Sequence, residues 1–294
     1  MKNLWFITNP GSGSTTAEKC EALAALFADH ALTLVGRTSF PDDDLPSPAM
    51  LDAKSVDTVV LFAGDGTINA AIRALADWPG AILILPGGTM NLLAKTLHGT
   101  ADAESIVLAT HAVPSLVALP FVAAGEYRAF VALILGPAAS WVHARELVRA
   151  GRLRGLGRAI RHAWARTFGR GIRLGGATGL LPGAQAVLVT ADGSAIRLTA
   201  IDARDWRSIA RLGWDWLTGD WVAAAAVTEG RATSVTVLGD KPVLALFDGE
   251  PQQLAPGVPI TSGITPARFV STLRGTEFGP ETEFGPETGS GPAA

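Results

Sequence analysis

Three glycine-rich segments and one late acidic turn hold the residues whose types and spacing could do chemistry. The segments are Asn9-Pro10-Gly11-Ser12-Gly13-Ser14, Gly64-Asp65-Gly66-Thr67-Ile68-Asn69 and Pro86-Gly87-Gly88-Thr89-Met90-Asn91. Glycines let a backbone approach a phosphate with no Cβ in the way, and a helix start presents N–H groups to an anion. Thr67 and Asn69 could hydrogen-bond phosphate oxygens. Asp65 among phosphates would repel them unless a cation lies between, so it points to Mg²⁺ or to a proton-accepting role; the alternative is an ordinary Asp-Gly turn. Thr89 could cap a following helix, and a capped helix start is itself an anion site. The first segment lacks the Gly-Lys-Ser/Thr ending of a Walker P-loop. Far along the chain, Asp248 and Glu250 flank Gly249. Two such carboxylates can be a general base with its orienting partner, or metal ligands, or a solvated acidic turn.

The elements that must position these residues are legible from the apolar runs. Each glycine segment follows a short strand-like run, at residues 4–7, 56–62 and 81–85, and precedes a helix-like segment, at 17–28, 69–78 and 90–97. Repeated β-then-α order predicts a parallel sheet with helices on its faces, and ligands of such sheets bind outside the carboxyl ends of the strands. From about residue 119 the pattern changes to short strand-like runs at 121–124, 128–135, 184–190, 195–200, 223–227, 233–237 and 243–247. This predicts an α/β domain over 1–118 and a mostly antiparallel β-sandwich domain over 119–274. A helical insertion at about 142–173 interrupts the second. The repeat Thr276-Glu277-Phe278-Gly279-Pro280-Glu281 and the residues after it read as an appended tail over 275–294, with a native acidic tail as the alternative.

Composition narrows the classes. The chain has 294 residues, 48% of them hydrophobic and 17% charged, which fits a folded protein with room for two domains. A net charge of -3 argues against a general nucleic-acid binder. The lone Cys20 permits no internal disulfide. The first residues are too short an apolar stretch for a signal peptide, and no run of about 20 apolar residues predicts a membrane span. The candidate at 116–139 is broken by Gly125-Glu126-Tyr127-Arg128, which reads as a hairpin turn.

Arg145, Arg149, Arg152, Arg154, Arg158, Arg161, Arg166, Arg170 and Arg173 crowd the insertion, beside an apolar stripe of Leu153, Leu156, Ile160, Trp164 and Phe168. A basic amphipathic helix of this kind can lie on an anionic membrane; the alternative is a helix that packs its stripe on the second domain. Trp206, Trp214, Trp216 and Trp221 read chiefly as core, with one or two indoles lining a lipid entrance as the alternative.

Taken together, the order Asn-Pro-x-Ser-Gly, Gly-Asp-Gly-Thr, Gly-Gly-Thr-x-Asn and a late Asp-Gly-Glu resembles the diacylglycerol kinase catalytic domain family, which includes bacterial soluble lipid kinases and sphingosine and ceramide kinases. Gly219-Asp220-Trp221 resembles the family's second domain. The resemblance implies a Rossmann-like nucleotide domain of the NAD-kinase and diacylglycerol-kinase type, a β-rich acceptor domain and a site in the cleft between them. It implies ATP held by Asn9, Gly11, Gly13, Thr38, Gly64, Asp65, Gly66, Thr67, Asn69, Gly88, Thr89 and Asn91. Asp65 would lie near Mg²⁺, and Glu250, with Asp248 beside it, would accept the proton of a lipid hydroxyl. It implies a cytoplasmic enzyme attached peripherally to the membrane, with diacylglycerol as the default acceptor and ceramide or a sphingoid base as the alternative. A homodimer is left open. Ala63 and Ala70 depart from the family's usual Gly and Glu. The rival readings are an NAD kinase and a catalytically weak lipid- or nucleotide-binding regulator.

Overall fold

The computed structural model describes residues 1–112, 115–136, 171–177, 184, 186–201 and 227–273. The tryptophan cluster, the tail and the basic insertion up to Arg170 lie outside the described residues, as does the expected run at 223–226.

The N-terminal part alternates strands and helices. In order it has β1 (Asn3–Thr8), α1 (Ala17–Asp29), β2 (Thr33–Ser39), α2 (Pro48–Ala53), β3 (Thr58–Ala63), α3 (Asp65–Ala74), β4 (Ala81–Pro86), α4 (Leu92–His98) and α5 (Ala103–Ala112). Strands β2, β1, β3 and β4 run parallel in that spatial order. Every residue of β3 is buried, as a central strand covered on both faces requires. One apolar cluster, with Trp5, Ile7, Val59, Leu61 and Trp78, packs one side of the sheet. Another, with Phe6, Phe27, Val60, Phe62 and Leu85, packs the other.

The remaining strands are β5 (Ser115–Ala124), β6 (Tyr127–Ala129), β7 (Leu133–Leu135), β8 (Leu174–Gly175), β9 (Ala186–Asp192), β10 (Ala195–Ile201), β11 (Val227–Ala232), β12 (Ser234–Val237), β13 (Val243–Phe247), β14 (Glu250–Leu254) and β15 (Pro259–Ser271). An antiparallel sheet of order β11-β10-β9-β7-β13-β14 forms one layer. It packs Val187, Leu198 and Phe247 against Val122, Val235 and Ile260 of the other sheet, which is the predicted sandwich. That second layer is continuous with the parallel sheet. β15 pairs with β5 and β12 and, at Arg268 and Phe269, runs parallel to β4. The parallel strands and this second layer are thereby one sheet, joined through the 13-residue β15.

The strand expected over 128–135 is broken into β6 and β7. The interrupting residues point their N–H groups at a side chain instead of a neighbouring strand, as the site shows. The hairpin before it has a two-residue turn, Gly125-Glu126, with Gly125 at φ 62.

Candidate active site

The three glycine segments converge. β3 ends at Ala63, and Gly64 is the N-cap of α3. The helix therefore opens at Asp65, earlier than the expected 69, and the second glycine segment is its first turn. From the first segment, Ser12 Oγ accepts from Gly64 N at 2.9 Å, and Asn9 Nδ2 donates to Thr67 Oγ1 at 2.8 Å. Asn9 Oδ1 accepts from Gly11 N at 2.8 Å, which closes that segment on itself. The third segment joins through Ser14 Oγ, which donates to Gly88 O at 3.2 Å, and Thr15 Oγ1, which donates to Gly87 O at 3.0 Å. Backbones meet here at a distance only glycine allows: a Cβ built on Gly88 would lie 2.7 Å from Gly64 Cα. Thr89 stands beside the first segment, since a Cβ on Gly13 would lie 2.8 Å from its Oγ1.

Helix capping singles out one of these termini. Thr16 caps α1, Ser47 caps α2, and Asp102 Oδ1 accepts from Ser105 N at 2.8 Å in the first turn of α5. α4 is capped from outside, by Asp65 Oδ1 accepting from Leu92 N at 2.9 Å. Thr89, expected as that cap, is not it. The N-cap position belongs to Asn91, whose φ is 51 and whose Oδ1 accepts from Gly88 N at 2.7 Å. The start of α4 is thus occupied by a carboxylate and is not the anion site its sequence suggests. α3 differs, because its N-cap is Gly64 and has no side chain to give. Its first-turn N–H groups face the place where the three segments meet, which is the geometry that binds phosphate.

Asp248 and Glu250 reach the same place from the other sheet. β13 and β14 form a hairpin in which Phe247 pairs with Glu250. Asp248 and Gly249 make the two-residue turn with φ values of 50 and 90, the double left-handed form that suits Asp-Gly. Asp248 is buried, at 5% exposure. Its Oδ2 accepts from Phe130 N at 2.7 Å, and its Oδ1 accepts from Val131 N at 2.8 Å and Ala132 N at 3.0 Å. These three amides are the break between β6 and β7. Burial pushes the Asp248 carboxyl up to about 6, against the pull of the three amides and with help from the Asp65 charge. Asp65 is raised as well, again by burial, with the amides of Leu92, Asn91 and Leu93 opposing.

Pinning Asp248 fixes the turn that presents Glu250. The Glu250 side chain, exposed, lies over α3: a Cβ built on Gly66 would stand 3.0 Å from its Oε1. A cavity of about 150 Å³ adjoins it, lined among others by Gly66, Asn69, Arg73, Tyr127, Arg128 and Phe247. A second cavity, of about 280 Å³, borders the first glycine segment and is lined by Thr8, Pro10, Thr16, Arg37, Thr38 and Asp43 among others. Thr38 is buried there, with Oγ1 accepting from Trp5 Nε1 at 3.0 Å.

The structure therefore brings Asn9, Gly11, Gly13, Gly64, Asp65, Gly66, Thr67, Gly88, Thr89, Asn91 and Glu250 around one helix end, with Asp248 behind them and Asn69 in the adjoining cavity. Thr38 lines the second cavity. Sequence reasoning missed Ser12, whose hydroxyl ties two segments together; its place inside the first motif was the available signal. It also missed Arg73, Tyr127 and Arg128, which belong to no motif. Ala63, buried in β3 and paired with Pro86, accommodates its methyl within the strand. Among the described residues no three His, Cys, Asp or Glu side chains are grouped to hold a metal ion, and no helix is long and apolar enough to cross a membrane.

Known proteins resemble this chain in sequence over its N-terminal part and in fold. Residues 3–116 match the model of the diacylglycerol kinase catalytic domain. A curated Streptococcus pneumoniae serotype 4 protein, provisionally named a lipid kinase, is 31% identical over 113 residues, which are 36% of this chain. The chain spans 38% of the length of that relative. Among solved structures, a Bacillus anthracis strain Sterne diacylglycerol kinase superposes with a TM-score of 0.60 at 15% identity, covering 92% of this chain and 97% of the other. A second, provisionally named diacylglycerol kinase from the same strain gives 0.62 at 16% identity, with the same coverage. These two likenesses establish a shared fold of both sheets.

Proposed function

We propose that this chain is an ATP-dependent lipid kinase that transfers the γ-phosphate to a primary hydroxyl of a membrane lipid, diacylglycerol by default. The observation that carries the reading is the Glu250 carboxylate poised over Gly66 at the open N-terminus of α3. A phosphate chain on the α3 amides and a hydroxyl beside Glu250 would be brought together for transfer.

In this reading the first-turn N–H groups of α3 bind phosphate oxygens, with the positive end of the helix dipole favouring the anion. Asn9, Ser12, Ser14 and Thr15 hold the three segments in register, Asn91 closes the third on itself, and Thr89 adds a hydroxyl at their junction. The second cavity, with Thr38, takes the nucleoside. Glu250 accepts the hydroxyl proton as the oxygen attacks the γ-phosphorus. Asp248 is a positioning residue, because both its oxygens already accept backbone amides.

Mg²⁺ fits as an ion that arrives with the nucleotide. Such ions keep several waters and take one or two protein carboxylates plus substrate phosphates. In this reading Asp65, whose Oδ1 accepts from the Leu92 amide, is the protein carboxylate offered to it. The ion would neutralise charge building on the transferred phosphoryl group. The run of arginines from Arg145 to Arg173 supports attachment to an anionic membrane surface at the cytoplasmic face, where basic residues each contribute about 1 kcal/mol.

The test is transfer of label from γ-labelled ATP with Mg²⁺ to mixed micelles carrying diacylglycerol, ceramide or sphingosine, with NAD in a parallel tube. Label in a lipid upholds the reading and names the acceptor. Label in NAD alone, or in nothing, overturns it.

A further inference from the structure

The cavity beside Glu250 holds two cations that phosphoryl transfer itself does not use. Gly66, Asn69 and Arg73 line it from α3 at spacings of three and four, so they share one face of the helix. At about 1.5 Å per residue, Arg73 lies about 10 Å along the axis from Gly66, away from the phosphate-binding end. Its side chain makes no hydrogen bond or ion pair among the described residues.

Arg128 enters from β6, with its guanidinium carbon 4.7 Å from the centroid of the Phe121 ring. The ring holds the guanidinium by a cation–π contact, and the planar fork of the group suits a bidentate contact with an anion. The Tyr127 and Phe247 rings, with centroids 5.4 Å apart, wall the same space. A volume of about 150 Å³ is on the scale of a small polyol headgroup. The two acids of the lining differ in place. Glu250 is the base, and Glu126 sits on the exposed β5–β6 turn.

Resting on the kinase reading for the hydroxyl at Glu250, we infer that Arg73 and Arg128 select an acceptor whose hydroxyl lies a few bonds from a phosphate ester. The cavity thus takes an anionic polyol headgroup in preference to a neutral or cationic one. Planar guanidiniums are the side chains best matched to phosphate oxygens. With the hydroxyl at the Gly66 end, a short polyol brings its phosphate toward the arginines.

Two measurements on the full chain test this. In the first, soluble glycerophosphoglycerol, glycerol 3-phosphate and glycerol are titrated by calorimetry into wild type, Arg73→Gln, Arg73→Lys and Arg128→Gln. Each Gln variant is expected to bind the phosphate esters about tenfold more weakly, with Arg73→Lys between. In the second, kcat and KM are compared for phosphatidylglycerol, diacylglycerol and sphingosine in uncharged mixed micelles. The wild type is expected to prefer phosphatidylglycerol, and each Gln variant to lose about tenfold of that preference through KM. Thermal melts within about 2 °C of wild type identify variants that are folded. Tighter binding of glycerol 3-phosphate than of the diester assigns the site to free polyol phosphates.

Transfer to diacylglycerol with a preference ratio unmoved by the variants would overturn this inference and leave the kinase reading standing. Preference for sphingosine would assign the cavity to Glu126 and overturn it likewise. If no acceptor is labelled, the kinase reading falls. The titration then decides alone: equal binding by wild type and Gln variants refutes the arginine site.

Discussion

The carboxylate of Glu250 rests against the backbone of Gly66, so that a β-carbon on the glycine would lie 3.0 Å from Oε1. One residue belongs to a hairpin of the antiparallel sheet, the other to the first turn of a helix on the parallel sheet. Their approach brings a carboxylate onto the open N-terminal end of α3.

Gly66→Ala tests that approach. Alanine is the better helix former by about 1 kcal/mol, and the Glu250 side chain can swing aside by a few tenths of an ångström. Stability is expected to hold or rise, while the transfer rate falls by about tenfold or more because the base is displaced. Melting temperature and initial rate, measured together, check this.

Gly88→Ala should act on the fold. Its β-carbon would meet Gly64 Cα at 2.7 Å, backbone against backbone, with no flexible end to move. Forcing the segments apart is expected to cost about 1–3 kcal/mol in urea unfolding and to weaken nucleotide binding. A variant as stable as wild type would contradict the close packing of the three segments.

Much of the nucleotide half was legible in the sequence because local signals agree there. Apolar runs end at glycines, and β1, β3 and β4 begin and end within two residues of their expected bounds. α2 and α5 have local signals too: Ser47 with Pro48, and Asp102, are ordinary helix starts. What could not be read is long-range. Nothing near residues 130–132 announces that their amides serve Asp248, so an unbroken strand was expected. The parallel pairing of Arg268 and Phe269 with β4 has no local signature either. The role of Asp65 as the cap of α4 was hidden because α4 is another element, whose own Thr89 looked sufficient.

Asp65 should therefore matter to stability as well as to transfer. Asp65→Ala leaves the Leu92 amide without its acceptor at the start of α4 and is expected to cost about 1–2 kcal/mol. Asp65→Asn keeps a side-chain oxygen there and should recover much of the stability while transfer stays impaired. Urea unfolding of the two variants separates the roles; equal stability in both would contradict the capping.

Asp248 predicts a pH dependence of folding with a definite sign. Its carboxyl is pushed from 3.8 up to about 6 in the folded protein, so the folded state holds the proton more tightly than the unfolded one. The contribution of this group falls as pH rises from about 4 to about 6, is lost in full above that range and amounts to about 3 kcal/mol. Denaturant unfolding across pH 4–7 should show this slope superposed on the other carboxylates. It should be absent from Asp248→Asn, whatever the lower baseline of that variant.

In the proposed reaction Glu250 takes the acceptor's proton. Single-turnover transfer from γ-labelled ATP by wild type and Glu250→Gln, with ATP affinity measured on the same samples, tests it most directly. The expected result is a rate lower by on the order of 10²–10⁴-fold, with nucleotide affinity within about twofold of wild type. A Glu250→Gln enzyme that transfers phosphate within about twofold of the wild-type rate would contradict it.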